Sequence, residues 1–379
     1  MRPNKNHRYN NKCLFLIQRN NHLFIIGLIL VNFLYAFIAN IFYEPNPNVV
    51  LRTAGNLDID VVYTWVNGTD PHWQHIKSLK EKEYNVTIKK NVNAGRFIDF
   101  EEIRYSLRSV FKNIPWVHKV YIITDNQTIS YLSEDPRIVY VDHRTIFPPD
   151  ALPTYNSNAI EFCIMNIPGL SNQFLYANDD FFFARPSTKD VFFEPNGNPK
   201  IPTHKSKWPN ATKSFKEMSK SKYRDNFGAQ QYNTVLKRTA SVFETKIGRD
   251  AHGSAPHSIF PCSLKLCRKA YEIFGKEIDE VRHHHFRSYT DMLFQLLMVF
   301  TCDLDPSLCT KTSPSGYARF LQLHGKKENS PFKDFDPSKV VTFCVNSDSA
   351  TTDELRLIAK EWLENWMNEP LSIEKDRKK

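Results

Sequence analysis

The chain has 379 residues, 41% of them hydrophobic and 24% charged, ample material for one large core or two ordinary ones. Its net charge is +9, but Arg2, Lys5, Arg8, Lys12 and Arg19 sit in an acid-free stretch over residues 1–22. The excess left for the remainder is mild and spread over a large domain, which argues against nucleic acid as a partner.

Leu23 to Tyr43 carries no formal charge and only Asn32 and Asn40 as strongly polar residues. About twenty such residues cross a bilayer as a helix. The run exceeds the usual core of a cleaved signal peptide, and no small-residue cleavage site follows cleanly, so a retained signal anchor is expected over 23–43. The basic tail, 1–22, then stays cytoplasmic, and everything after Glu44 is luminal or extracellular. Sequons at Asn67, Asn85, Asn126 and Asn210 fit that placement. Cys163, Cys262, Cys267, Cys302, Cys309 and Cys344 lie beyond the anchor. An even count in an oxidising compartment favours disulfides, with the pairing open. Zinc is the rival reading, although Cys262-x4-Cys267 and Cys302-x6-Cys309 lack the tighter spacing of common zinc knuckles.

Residues 44–56, with Pro45 and Pro47, read as a stem. Leu57 to Val66 is a β-branched run ending in the turn signal Asn67-Gly68-Thr69-Asp70-Pro71. A helix is expected from Asp99, with Ile103, Leu107, Val110 and Phe111 on one stripe and Arg104 and Arg108 on a neighbouring face. Lys119 to Thr124 and Arg137 to Val141 read as strands, Tyr155 to Ile167 as a helix, and Gln173 to Phe183 as one long strand. Alternating strands and helices imply an α/β fold with a mostly parallel open sheet, whose ligands bind beyond the carboxyl ends of the strands. Residues 195–225 read as a mobile connection, and from Phe227 the pattern is mainly helical. The last helix is expected from Thr351, with a capping box to Glu354, and the tail from Glu374 as frayed.

Chemistry concentrates at Asn178-Asp179-Asp180, behind the apolar run Phe174 to Ala177 and ahead of Phe181 to Phe183. Two carboxylates at the edge of a buried strand are expensive to desolvate without compensation. A hard divalent cation carrying a phosphorylated substrate is one compensation; a turn facing water is the plain alternative. His252 and His257 flank a Gly/Pro-containing loop, and Arg282 to Arg287 is a dense cationic cluster. Three consecutive histidines cannot all point one way, so the better use of that cluster is Arg287 forking onto a phosphate. Acids for a metal, cations around phosphate oxygens and a base are the parts that phosphoryl transfer asks for. Arg104 and Arg108 are candidates for a diphosphate or plain solvated helix charges.

Several segments resemble the Stealth family of hexose-1-phosphate transferases. Ile59 to Pro71 looks like its first signature region. Ile103 to Ser109, Pro115-Trp116-Val117, Leu152 to Ser157, Ala159-Ile160-Glu161 and Asn178-Asp179-Asp180 resemble the second, in order. The His252–His257 loop with Phe286-Arg287-Ser288 and Asp291-Met292 is similar to the third, and Phe343 to Asp348 to the fourth. The likeness covers residues 57–348, leaving 349–379 as a C-terminal helix and charged tail.

The resemblance implies a nucleotide-sugar-transferase-like sheet with a helical C-terminal half, preceded by one transmembrane helix. It implies transfer of a hexose-1-phosphate, with UDP-GlcNAc as the expected donor, to a glycan hydroxyl with UMP released, using Mg²⁺ or Mn²⁺. Asp179 and Asp180 match the metal-binding or catalytic acids, Arg287 a phosphate-binding arginine, and His252 or His257 the catalytic histidine. Asp60, Trp65, Asn67, Asp70, Arg104, Arg108, Asn156, Ser157, Glu161 and Asn178 fall in matched segments and are the candidate substrate-binding residues. A Golgi membrane location, single-pass with the catalytic domain luminal, goes with this reading; a homodimer is left open. Two departures stand out: Gly253-Ser254 lengthens the histidine loop, and Gln230 or Gln231 stands where an arginine is expected. The connection at 187–225 is too short for the protein-recognition modules of the animal lysosomal enzyme. The rival readings are a metal-dependent glycosyltransferase releasing UDP and a non-catalytic surface lectin or scaffold.

Overall fold

The computed structural model describes residues 57–86, 97–220, 227–325, 330–348 and 350–375, with side chains in the helix after 227 described from Tyr232. The expected tail, span and stem lie outside these residues; among the described residues no helix is long and apolar enough to cross a membrane. In chain order the strands are β1 (Ile59–Thr64), β2 (Val120–Thr124), β3 (Ile138–Asp142), β4 (Gln173–Asn178), β5 (Phe181–Phe183) and β6 (Lys200–Pro202). They continue with β7 (His204–Trp208), β8 (Ala251–Ser254), β9 (Phe260–Ser263), β10 (Thr310–Thr312), β11 (Ala318–Leu323) and β12 (Thr342–Ser347). The longer helices are α1 (Pro71–Glu83), α2 (Glu102–Asn113), α3 (Ser157–Cys163), α4 (Ala211–Met218), α5 (Phe227–Ile247), α6 (Leu264–Arg282), α7 (Phe294–Leu304) and α8 (Asp353–Trp366).

The main sheet has the order β3-β2-β1-β4-β9; its first four strands are parallel and β9 runs against β4. All six residues of β1 are buried, as expected of a strand covered on both faces. Val62, Tyr121, Ile123, Phe174 and Tyr176 face one core, and Ile59, Val61, Tyr63, Ile122 and Leu175 the other. The chain steps outward from β1 to β3, then returns to place β4 on the other side of β1. The strand order therefore reverses between β1 and β4, where open α/β sheets form their ligand crevice.

The long strand expected over Gln173 to Phe183 is broken. Gln173–Asn178 pairs with β1 and β9, whereas Phe181–Phe183 pairs with β12 in a second sheet, β11-β12-β5. Asp179 and Asp180 form the corner between the two sheets. The flanking Phe174, Phe181, Phe182 and Phe183 are fully buried, so the corner is the one place here where carboxylates avoid an apolar core.

Three further expectations need correction. The connection over 195–225 contains β6, β7 and α4 rather than loop alone. The C-terminal half is not simply helical, because it supplies β8 to β12. The last helix is capped by Thr352, whose side chain accepts from Leu355 N, while Thr351 Oγ1 donates to Leu323 O at 2.5 Å. That helix is no appendage: Leu355, Ala359 and Leu363 are buried in one core with Phe182, Leu321 and Phe343. Among the described residues one disulfide, Cys302–Cys309, closes the end of α7, and Cys163, Cys262, Cys267 and Cys344 are free and buried.

Candidate active site

At the carboxyl edge of the main sheet, Thr64 of β1 stands in register with Asn178 of β4. Tyr176 Oη donates to Asn178 Oδ1 at 2.6 Å, and Thr64 Oγ1 donates to the same oxygen at 3.2 Å. This fixes Asn178 at the switch point and aims the next two residues beyond the sheet. Burial pushes the Asp179 carboxyl well above the usual range, and the charges of Asp180 and Asp99 add to the push. Asp180 is also raised by burial, against the opposing pull of His257, Cys344 and Asn346. Glu102, buried at the start of α2, is raised by burial and then by Asp179. The corner thus concentrates more negative charge than the surrounding protein neutralises.

One further observation points to a cation. Asp180 Oδ1 is buried and has no hydrogen-bond partner, a costly condition for a carboxylate oxygen. Among the described residues no group of three or more His, Cys, Asp or Glu side chains is arranged to enclose a metal. A two-carboxylate site suits Mg²⁺ or Mn²⁺, which can complete their coordination with phosphate oxygens and water. The donor set therefore fits the expected ion, which Asp179 and Asp180 would hold.

The other wall comes from later in the chain. Cys344 of β12 donates its thiol hydrogen to Asp180 Oδ2 at 3.3 Å, and its sulfur lies 3.5 Å from His257 Nδ1. Asn346 Nδ2 donates to the same Asp180 oxygen at 3.4 Å. With the thiol hydrogen spent on Asp180, Nδ1–H of the imidazole donates to sulfur and Nε2 keeps its lone pair. Edge-on contacts with Phe181 and Phe320 hold the ring. Burial, with the Arg287 charge acting in the same sense, lowers the His257 pKa against the opposing effect of Asp180. The imidazole is therefore neutral near pH 7, as a general base requires.

Arg287 donates to Ser157 Oγ at 2.7 Å, at the first residue of α3. Its loop is tied down by Asp291, which is fully buried. That carboxylate accepts from Asn156 Nδ2, Asn158 Nδ2 and Ser288 N, each at 3.0 Å, and contacts His284 Nδ1 at 2.6 Å. Burial pushes Glu161, on α3, up to about 7, against the pull of the Tyr176 hydroxyl and the Arg287 guanidinium. Asp180, His257, Arg287, Ser157, Glu161 and Asn178 are thereby brought into one interacting set, with Asn156 supporting it from behind.

The remaining candidates divide. Trp65 and the Asn67–Asp70 turn lie at the same sheet edge; Asp70 caps α1, and Asn67 N donates to Gln127 Oε1 at 2.9 Å. Trp65 Nε1 is buried without a partner. Asp60 lies four residues back along β1, about 13 Å from that edge. It accepts from Lys119 N and Ser171 N and pairs with His118, so it joins strand entrances and is no substrate contact.

Arg104 and Arg108 are also corrected: both side chains are 5% exposed and pair with Glu374, itself 3% exposed. Their charge is used inside the fold, and the tail expected to fray from Glu374 is anchored there. His252 is exposed on β8 opposite Lys207, away from the acid pair's hydrogen bonds, so His257 is the histidine that meets the acid pair. The three consecutive histidines do separate, bonding to Asp279 O, Asp291 and Pro153 O.

The sequence pattern does not mark Cys344, Asn346, Asp291 or Tyr176 as individual site residues. Cys344, Asn346 and Asp291 fall in the signature segments, but nothing local in those segments reveals a contact with Asp180 or Arg287.

Residues 96–201 match the family model for Stealth protein CR2, conserved region 2, and residues 57–75 match Stealth protein CR1, conserved region 1. The chain is 32% identical over 313 residues to "Capsular polysaccharide phosphotransferase fcs1" of Haemophilus influenzae, covering 78% of this chain and 80% of that protein. It is 32% identical over 286 residues to "Capsular polysaccharide phosphotransferase SacB" of Neisseria meningitidis serogroup A, covering 75% of this chain and 48% of that protein. It is 46% identical over 152 residues to "Exopolysaccharide phosphotransferase cps2G" of Lactiplantibacillus plantarum, covering 40% of this chain and 44% of that protein. The chain thus spans most of the first relative but less than half of the other two. Among solved structures, galactosyltransferase LgtC with donor and acceptor sugar analogs superposes with a TM-score of 0.41 at 10% identity, covering 83% of this chain and 97% of that one.

Proposed function

The chain belongs to the Stealth family, and on that premise we propose that its crevice transfers a hexose-1-phosphate from a UDP-sugar, with UDP-GlcNAc as the first candidate, to a glycan hydroxyl. The observation that carries this is the meeting of Asp180 and His257 across the Cys344 thiol, with Arg287 close enough to act on the same imidazole.

In this reading His257 Nε2 takes the proton of the acceptor hydroxyl. The acceptor oxygen forms a bond to the sugar-linked phosphorus, and the bond from that phosphorus to UMP breaks. Arg287, held by Ser157 and the Asp291 network, faces the phosphate oxygens as a planar cation. A divalent cation held by Asp179 and Asp180 would neutralise diphosphate charge. Glu161 keeps Arg287 available when protonated and competes with the phosphate when ionised. The uncharged run at 23–43 and the sequons support a membrane-anchored luminal domain, with the Golgi membrane as its proposed location.

Product analysis tests the reaction class. Incubation with labelled UDP-GlcNAc, Mg²⁺ or Mn²⁺ and a glycan acceptor is expected to release UMP and leave a phosphodiester resistant to phosphatase. Release of UDP with a plain glycosidic product would reject the proposal in favour of an ordinary glycosyltransferase.

A further inference from the structure

A cavity of about 660 Å³ lies outside the crevice, between the β7–β8 ribbon and the segment from Lys311 to Pro314. Its lining includes His204, Lys205, Lys207, His252 and Lys311, together with Thr and Ser hydroxyls, and contains no acid. Lys311 is paired with Asp303. Among the described residues, His204, Lys205, Lys207 and His252 have no acidic partner, and all four are exposed.

The local fold concentrates these groups. Lys207 and His252 stand directly opposite each other in the β7–β8 pairing. Groups that can both carry positive charge are unfavourable neighbours across two strands unless an anion lies between them. Gly253 permits the close packing beneath: at φ +88°, a Cβ there would lie 2.8 Å from Thr203 Cγ2 and 3.6 Å from Lys311 Nζ. Trp208 Nε1 donates to Gly253 O at 2.8 Å and holds the ribbon shut behind the cations.

The same segment carries the base. His257 lies four positions after Gly253, at most about 14 Å of extended chain. A ligand seated against His252 and Lys207 would therefore lie within an oligosaccharide's span of the imidazole. We propose that this cavity binds the anionic, phosphate-bearing portion of a glycan acceptor, with its hydroxyls directed to the Ser and Thr lining. Its assignment to an acceptor rests on the phosphotransferase reading; its preference for an anionic glycan rests on the cavity alone. A cavity of this volume is in the range that takes a small ligand.

The test is equilibrium binding, which needs no turnover. The full chain is titrated with a phosphodiester-linked hexose dimer, with the neutral disaccharide of similar size, and with inorganic phosphate. The charged dimer is expected to bind more tightly than either control, with an affinity that falls as salt rises. The double variant Lys205→Gln/Lys207→Gln is expected to weaken it roughly tenfold without changing thermal unfolding. Equal affinity for the neutral disaccharide, equal affinity for inorganic phosphate, or unchanged binding by the double variant would overturn the proposal. Failure of the phosphotransferase reading shows instead as UDP release, whatever this cavity binds.

Discussion

Asp180 and His257 come from separate parts of the chain and meet through the sulfur of Cys344, which lies 3.3 Å from the carboxylate and 3.5 Å from the imidazole. A thiol in this position orients both groups at once, donating to one and accepting from the other. Cys344→Ala should therefore lower kcat by at least about tenfold, because both of these buried hydrogen bonds are lost. Cys344→Ser should recover part of the loss, because a hydroxyl can make both contacts. Steady-state kinetics with a pH profile of kcat checks this; equal rates in all three proteins would remove Cys344 from the arrangement.

Asp180→Asn should reduce turnover by at least about a thousandfold, since electrostatic stabilisation is usually the largest contribution in such sites. Its effect on folding should be small or favourable. A carboxyl raised by burial stabilises the fold while protonated, and that contribution is lost as pH rises through its folded pKa. The amide cannot ionise, so thermal unfolding in chelator at pH 7.5 should give a melting temperature no lower than wild type. A folded but fully active variant would move the chemistry elsewhere.

Glu161 offers a pH test of Arg287. Its carboxyl, pushed up to about 7, is mostly neutral below that value and ionised above it. Ionisation gives Arg287 a competing internal partner, so KM for the nucleotide sugar should rise as pH increases through about 7. Glu161→Gln should flatten that limb, while Arg287→Lys should cost about a hundredfold in kcat/KM throughout, because an ammonium cannot replace a planar fork. A limb that persists in the Gln variant would assign it to another group.

The Glu374 contacts lead to a stability prediction without a catalytic one. Removing this carboxylate leaves Arg104 and Arg108 with little exposure and reduced pairing. Glu374→Gln should destabilise by about 3 kcal/mol in urea unfolding, within the range for breaking buried ion pairs. Turnover measured well below the transition should be unchanged. A selective loss of kcat with normal stability would return the two arginines to the reaction centre.

Local pattern made much of the scaffold legible. The β-branched run around Val61, the Asn67–Asp70 turn and the strands ending at Thr124 and near Asp142 depend on neighbours within a few residues, and they recur in the structure with small shifts at their ends. The Asp179-Asp180 pair was visible for the same reason: two acids interrupt a run of large apolar residues. Arg104 and Arg108 misled because their helical spacing shows a shared face but not what covers it. Their partner is Glu374, more than 260 residues away, in a segment whose charge alone suggested fraying.

From the amino-acid order alone came the alternation of strands and helices, the acid pair and the signature segments that mark the family. Only the three-dimensional packing decided that the apolar run around those acids divides between two sheets, that His257 and not His252 approaches them, and that Cys344 joins the two. Periodicity and turn chemistry are properties of neighbouring residues, whereas each of these outcomes depends on which distant surfaces are buried together.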